Sequence, residues 1–195
     1  MKKLLLVLAL PEENDGNLLS AHGHEILYTG VGKVNAALKL AEALATRNRD
    51  ELLVVNLGSA GSHHLPAGQV VCAQQFFERD MDATALGFAL GQTPYEEDIH
   101  LDYGMVVEGL PQAVCFSGDS FVTEKHPQLA LEVIDMEAYA LAKVCRHFSV
   151  PFCSLKFITD GADGAAATEW RDAVRMAAQH LSAALTVLEK QLAQD

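Results

Sequence analysis

The 195-residue chain is predicted to be an α/β domain on a largely parallel sheet, and three observations lead there. Short apolar runs with β-branched residues alternate with segments whose apolar residues recur at three and four positions, as strands joined by helices do. Glycine and small polar residues stand directly behind several of those runs, where strand ends turn. Half of the residues are hydrophobic, with no Pro- or Ser-rich tract and no fixed repeat. One core over residues 1–195 is therefore expected, since a domain of this size buries roughly 70% of its extended surface.

The first run, residues 4–10 in MKKLLLVLAL, has two lysines before it and so the outline of a secretory leader. Its apolar stretch is short, Pro11-Glu12-Glu13 follows at once and no small-x-small cleavage pattern appears, so it reads as a buried first strand. Residues 25–29 and 52–57 are the next strands, and the Ala- and Leu-rich segment 34–46 between them has helical spacing. Residues 69–76 and 113–117 follow as strands. VIDMEAYALAKVC, residues 133–145, reads as a strand end running into an amphipathic helix over 136–148. Its acids Asp135 and Glu137 stand where a helix start favours negative charge. Residues 152–159 make the last strand. Val174, Ala177, Ala178, Leu181, Leu185 and Leu188 form one stripe on a closing helix.

Composition excludes several partners. A net charge of −12 with 14 scattered Lys and Arg leaves no basic stripe for phosphates, so neither nucleic acid nor an anionic membrane is an expected partner. No run reaches the roughly 20 apolar residues of a membrane span. Cys72, Cys115, Cys145 and Cys153 lie far apart, as suits reduced, buried thiols in a cytoplasm. The paired histidines His22/His24 and His63/His64 lack zinc-type spacing, so no metal is expected.

In α/β sheets ligands sit beyond the carboxyl ends of strands. The segments placed there are Glu12-Glu13, TGVGK, GSAG, Ser117-Gly118-Asp119, Asp135-Met136-Glu137 and Thr159-Asp160-Gly161, and all converge on one cleft if the sheet is built as read. TGVGK lacks the spacing of either common nucleotide loop, so a tight turn opening a helix is its default reading. GSAG is a plain turn or a site of close ligand approach, and Ser59 lacks the G-x-S-x-G setting of a nucleophile.

Seven segments in order carry a resemblance: ALPEE, TGVGKVNAAL, NLGSAGS, RDMDATALGFALGQTP, FSGDSFV, IDMEAYALAKVC followed by VPF, and ITDGAD. With them the chain resembles the purine nucleoside phosphorylase and nucleosidase superfamily, most closely the 5′-methylthioadenosine/S-adenosylhomocysteine nucleosidases. The resemblance implies a three-layer αβα sandwich around a twisted mixed sheet, a homodimer, and hydrolysis of a purine nucleoside, adenine foremost, with a modified 5′ carbon and no cofactor. It assigns Glu13, with Glu12 as the alternative if the register slips, to activation of water, Ser59 to holding that water, and Asp160 to protonating the leaving base at N7. Glu137 is implied to bind the ribose hydroxyls, Met136 to pack under the sugar, and Phe121 and Val122 to hold the purine. Trp170 falls on the 5′ pocket, Asp135 beside the sugar, and Ala83, Leu86 and Pro94 where family members reach the neighbouring subunit's 5′ pocket.

That chemistry suits these residue types, because breaking an N-glycosidic bond makes a cation-like sugar and an anion-like purine and so needs an acid for the base and a carboxylate for water. The chain departs from the family pattern in a short span between PEEN and TGVGK, another between SGDSFV and IDMEA, Asp135 for Glu, Lys156 for Arg, and Trp170 for a smaller aromatic. A phosphorylase is the nearest alternative, but Asn14 and Asn56 stand where phosphorylases of this fold place phosphate-binding arginines. A non-catalytic nucleoside-binding regulator would lack Glu13 or Asp160, and both are present.

Overall fold

The computed structural model describes residues 2–124 and 129–194. Eight strands are found among the described residues: β1 Lys3–Leu8, β2 Glu25–Tyr28, β3 Leu52–Gly61, β4 Val70–Glu78, β5 His100–Asp102, β6 Gln112–Ser117, β7 Val133–Asp135 and β8 Phe152–Asp160. The α-helices are α1 Lys33–Ala45, α2 Ala138–His147 and α3 Ala166–Leu192.

The strands form one mixed sheet, ordered β2-β1-β3-β7-β6-β4-β5, with β8 paired to both β3 and β4. Parallel pairing dominates, as read from the sequence, but β4 runs antiparallel to β5 and β8. The pairings close a circuit, because β3 joins β8, β8 joins β4, β4 joins β6, β6 joins β7, and β7 returns to β3 at Gly61 opposite Ile134. Closure answers the right-handed twist that accumulates from strand to strand. It also brings the carboxyl ends of β3 and β8 against that of β7, and the cleft lies at this seam.

Alternate residues of the strands divide between two apolar layers, as the period of two requires. Leu5, Val7 and Val54 pack with Ala36, Leu40 and Leu44 of α1 and Leu141 and Cys145 of α2. Leu4, Leu6, Leu8, Leu53, Val55 and Leu57 pack with Ala177, Leu181, Leu185 and Leu188 of α3 on the other face. The result is the expected αβα sandwich, and the whole predicted stripe of α3 is buried.

Three local readings change. GSAG lies inside β3 rather than in a turn behind it. Its small residues keep the strand extended past the point where the apolar run stops, paired to β8 as far as Gly61 and Asp160. Helix α2 starts at Ala138, with Glu137 as its N-cap, because Val133–Asp135 is held in the sheet beside β6. The edge strand β5 spans three residues, too few to show a period.

Candidate active site

The cleft is a cavity of about 320 Å³ at the strand-end seam. Glu13, Ser59, Phe121, Val122, Asp135, Met136, Glu137, Asp160 and Trp170 all line it. Ala83, Leu86 and Pro94 do not line it; Leu86, on the segment between β4 and β5, is 76% exposed.

Glu13 is buried while Glu12 faces solvent. Pro11–Asn17 folds into 3-10 turns behind β1, and the turn carries the Glu13 side chain back over the strand end. Its Oε2 accepts hydrogen bonds from the N–H groups of Ala9 and Leu10 at 3.1 and 3.2 Å. Its Oε1 accepts from the Ser59 N–H at 2.8 Å and from the Ser59 hydroxyl at 2.9 Å. The Ser59 oxygen in turn accepts the indole N–H of Trp170 at 3.1 Å, which fixes the serine's one hydrogen on Glu13.

Asp160 ends β8, with Oδ1 accepting the Ala162 N–H at 2.9 Å. Its Oδ2 lies 2.7 Å from the Thr159 hydroxyl, which also stands 3.2 Å from the carbonyl of Ala60. A hydroxyl has one hydrogen to give. Thr159 therefore serves one of these two acceptors at a time. Gly61 makes room, since a Cβ there would stand 2.8 Å from Asp160 Oδ1.

Glu137 is buried at the N-cap of α2, and its Oε1 accepts the Gly32 N–H at 2.8 Å. Gly32 holds φ at +95°, a conformation side chains rarely adopt, so the glycine of TGVGK is what presents that N–H. Burial, followed by the charge of Asp135, pushes the Glu137 carboxyl up to about 7. Asp135 itself is buried. It accepts from Lys156 Nζ at 2.7 Å, the Ala138 N–H at 2.9 Å and the Ser117 hydroxyl. Burial acts to raise its carboxyl, but Lys156 and these donors outweigh it and hold the group below the ordinary carboxylate value.

Phe121, 48% exposed, and Val122 are carried by the loop after β6. That loop is anchored by groups the sequence reading missed. Arg79 donates to the carbonyls of Gly118 and Ser120 and to the Ser120 hydroxyl, and Asp80 accepts the Asp119 N–H at 2.8 Å. Lys156, noted in the sequence only as a departure, shows its own signal in hindsight: a lysine inside the apolar run LKFIT needs a buried partner. Thr159 entered the sequence reading only as part of the segment Thr159-Asp160-Gly161, and Arg171, which also lines the cavity, gave no signal.

A twisted mixed sheet with carboxylates gathered at its strand ends defines the class. The sequence model of the phosphorylase superfamily matches residues 18–189, and the chain belongs to that superfamily. It is 32% identical over 178 residues to the 5′-methylthioadenosine/S-adenosylhomocysteine nucleosidase of Haemophilus influenzae strain PittEE, covering 81% of this chain and 77% of that one. The enzyme of the same name from Staphylococcus carnosus is 31% identical over 184 residues, covering 84% and 80%. At this identity and coverage the chain falls in the 5′-methylthioadenosine/S-adenosylhomocysteine nucleosidase family. Among solved structures, a Helicobacter pylori futalosine hydrolase superimposes with a TM-score of 0.85 at 23% identity, covering 98% of this chain and all of that one.

Proposed function

We propose that the protein hydrolyses the N-glycosidic bond of a purine nucleoside with a modified 5′ carbon and releases the free base. The observation that carries this reading is the Glu13 carboxylate, buried and fixed by four donors on the wall of a cavity that also holds Asp160.

Glu13 takes a proton from a water held beside Ser59, and the water oxygen bonds to C1′. Asp160 gives its proton to N7 as the C1′–N9 bond breaks, so the purine leaves neutral. Glu137 accepts the ribose hydroxyls, Met136 packs under the sugar, Phe121 stacks on the base with Val122 at its edge, and Trp170 walls the 5′ side. Asp135 acts from below, holding Lys156 and the start of α2.

Water rather than phosphate is the acceptor. Asn14 and Asn56, at the positions where phosphorylases carry arginines, are spent on structure: Asn14 bonds Ser20, Tyr28 and the Leu19 N–H, and Asn56 bonds Val7 and Ser154.

The protein works as a homodimer in a reducing cytoplasm. Four free, buried cysteines support the compartment. Exposed apolar residues on α1 and on the β4–β5 segment, among them Val34 and Leu86, support the dimer, with Ala83, Leu86 and Pro94 closing the partner's 5′ side. Among the described residues no helix is long and apolar enough to cross a membrane.

The test incubates the protein with methylthioadenosine, adenosylhomocysteine, 5′-deoxyadenosine, adenosine and inosine, with and without phosphate. Free base and free sugar at a rate independent of phosphate are expected. Sugar phosphate, or binding without turnover, would overturn the reading.

A further inference from the structure

We infer that Lys33 is a positioning residue for the purine: its ammonium, set among three carboxylates, holds the loop after β6 that carries Phe121 and joins it to the turn whose N–H reaches Glu137. The inference rests on the nucleoside reading above, which puts the base on Phe121.

Lys33 is the first residue of α1, where the exposed N–H groups disfavour a cation, and the first turn of that helix holds no acid to offset it. The compensation comes from distant segments. Nζ stands 2.7 Å from Glu78 Oε1 at the end of β4, donates to Asp80 just beyond it, and lies 3.9 Å from Asp119 Oδ2 in the loop after β6. Only 14% of the lysine side chain and 15% of that of Glu78 reach solvent, so the contact is largely dry. Burial acts to lower the ammonium, but the hydrogen bonds to Asp80 and Glu78 outweigh it and hold the group above its ordinary value. Arg79, beside Asp80 in sequence, spends its guanidinium on Gly118 and Ser120. Among the described residues Lys33 is the one cation in an ion pair with these acids.

Asp119 is where the bonds meet. Its N–H donates to Asp80 Oδ2 at 2.8 Å, and its Oδ1 accepts the Lys33 N–H at 2.8 Å. Lys33 Nζ holds the other oxygen of Asp80, which leaves Oδ2 facing the Asp119 N–H. The residue before Lys33, Gly32, gives its N–H to Glu137. A chain of bonds thus runs from Glu137, on the ribose side, through Gly32 and Lys33 to Asp119, two residues before Phe121. Phe121 is half exposed, with little packing of its own to fix it, so its place depends on the loop behind it. Removing the ammonium leaves three carboxylates facing one another, and their repulsion acts on Asp119, the one that belongs to the loop.

The experiment measures kcat and KM for methylthioadenosine, and Kd for free adenine, which fills the base site without touching the sugar site. Lys33→Met keeps the stem and removes the charge. KM and the adenine Kd are expected to rise about tenfold, inside the range set by losing one base–aromatic stack. kcat is expected to change by less than about threefold, because the contact serves substrate and transition state alike. Lys33→Met combined with Asp80→Asn removes the stranded charge together with the ammonium and is expected to recover most of the loss. In a Phe121→Ala background Lys33→Met is expected to add less than about twofold, since its route to the base is already cut. Unchanged KM and Kd in folded Lys33→Met, or the same rise in the Phe121→Ala background, overturns the inference. A fall in kcat with KM unchanged overturns it too, because it marks a role outside base binding. If Lys33→Met does not fold, Asp119→Ala carries the test: it is expected to raise both constants at least about threefold, for one lost hydrogen bond, and no rise overturns the inference. If the natural protein neither cleaves methylthioadenosine nor binds adenine, the hydrolase reading falls and the inference with it; cleavage with constants that Lys33→Met leaves unchanged removes only the role of Lys33.

Discussion

The ammonium of Lys156 stands 2.7 Å from Oδ2 of Asp135, and 2% and 0% of the two side-chain surfaces reach solvent. The sequence reading set both positions apart from the pattern it resembled, and the fold makes them partners. Burial pulls the lysine down, yet the neighbouring carboxylate of Asp135 outweighs it and holds the ammonium above its ordinary value. The pair ties β8 to β7 at the wall of the cavity.

Lys156→Met strands the Asp135 charge in the core and is expected to cost about 3–5 kcal/mol, read from chemical denaturation. Adding Asp135→Asn removes the stranded charge, so the double variant is expected to be more stable than the single one. A cost below about 1 kcal/mol for Lys156→Met would show that water or another group compensates Asp135.

Glu137 gives a pH signature. Its folded value of about 7 lies above the ordinary 4.5, so the folded state binds the extra proton. Its contribution to stability is full below about 4.5 and is lost as pH rises toward 7. Glu137→Gln is therefore expected to gain stability relative to the parent at pH 8 more than at pH 5, while kcat/KM falls because the ribose hydroxyls lose a charged acceptor. An identical stability difference at both pH values would contradict the raised carboxyl.

Gly61→Ala tests the packing around the acid. The new Cβ would meet Asp160 Oδ1 at 2.8 Å and Ala162 Cβ at 3.1 Å, so the carboxyl must move. A displacement approaching 1 Å at a reacting group costs on the order of 100-fold, so turnover is expected to drop by at least about tenfold while the protein stays folded. Unchanged turnover in a folded variant would mean that Asp160 needs no fixed position.

Leu86 tests the assembly. Leu86→Glu places a charge on a side chain 76% exposed in the single chain, and it is expected to yield monomers by light scattering together with reduced turnover. A parent protein that is monomeric and fully active removes the partner's role in the 5′ site.

The sandwich was legible because its signals are local: the period of two in β1 and β3, and the unbroken stripe from Val174 to Leu188. The site residues were legible as candidates because most follow a strand in sequence. What was hidden depends on register between distant segments. Lys156 meets Asp135 only because β8 and β7 both flank β3 near Gly61. The Trp170 to Ser59 bond spans 111 residues, and Arg79 reaches its loop across 39 and 41. β5, three residues long, has too few positions to show a pattern.

The central claim is that Asp160 protonates the leaving purine, and Asp160→Asn on two substrates tests it most directly. Positioned proton transfer contributes about 100- to 10,000-fold. Turnover of an adenine nucleoside is expected to fall by at least about 100-fold, while a nitrophenyl riboside, whose leaving group needs no proton, is expected to lose far less. Equal losses on both substrates would contradict the account and leave Asp160 as a structural end to β8.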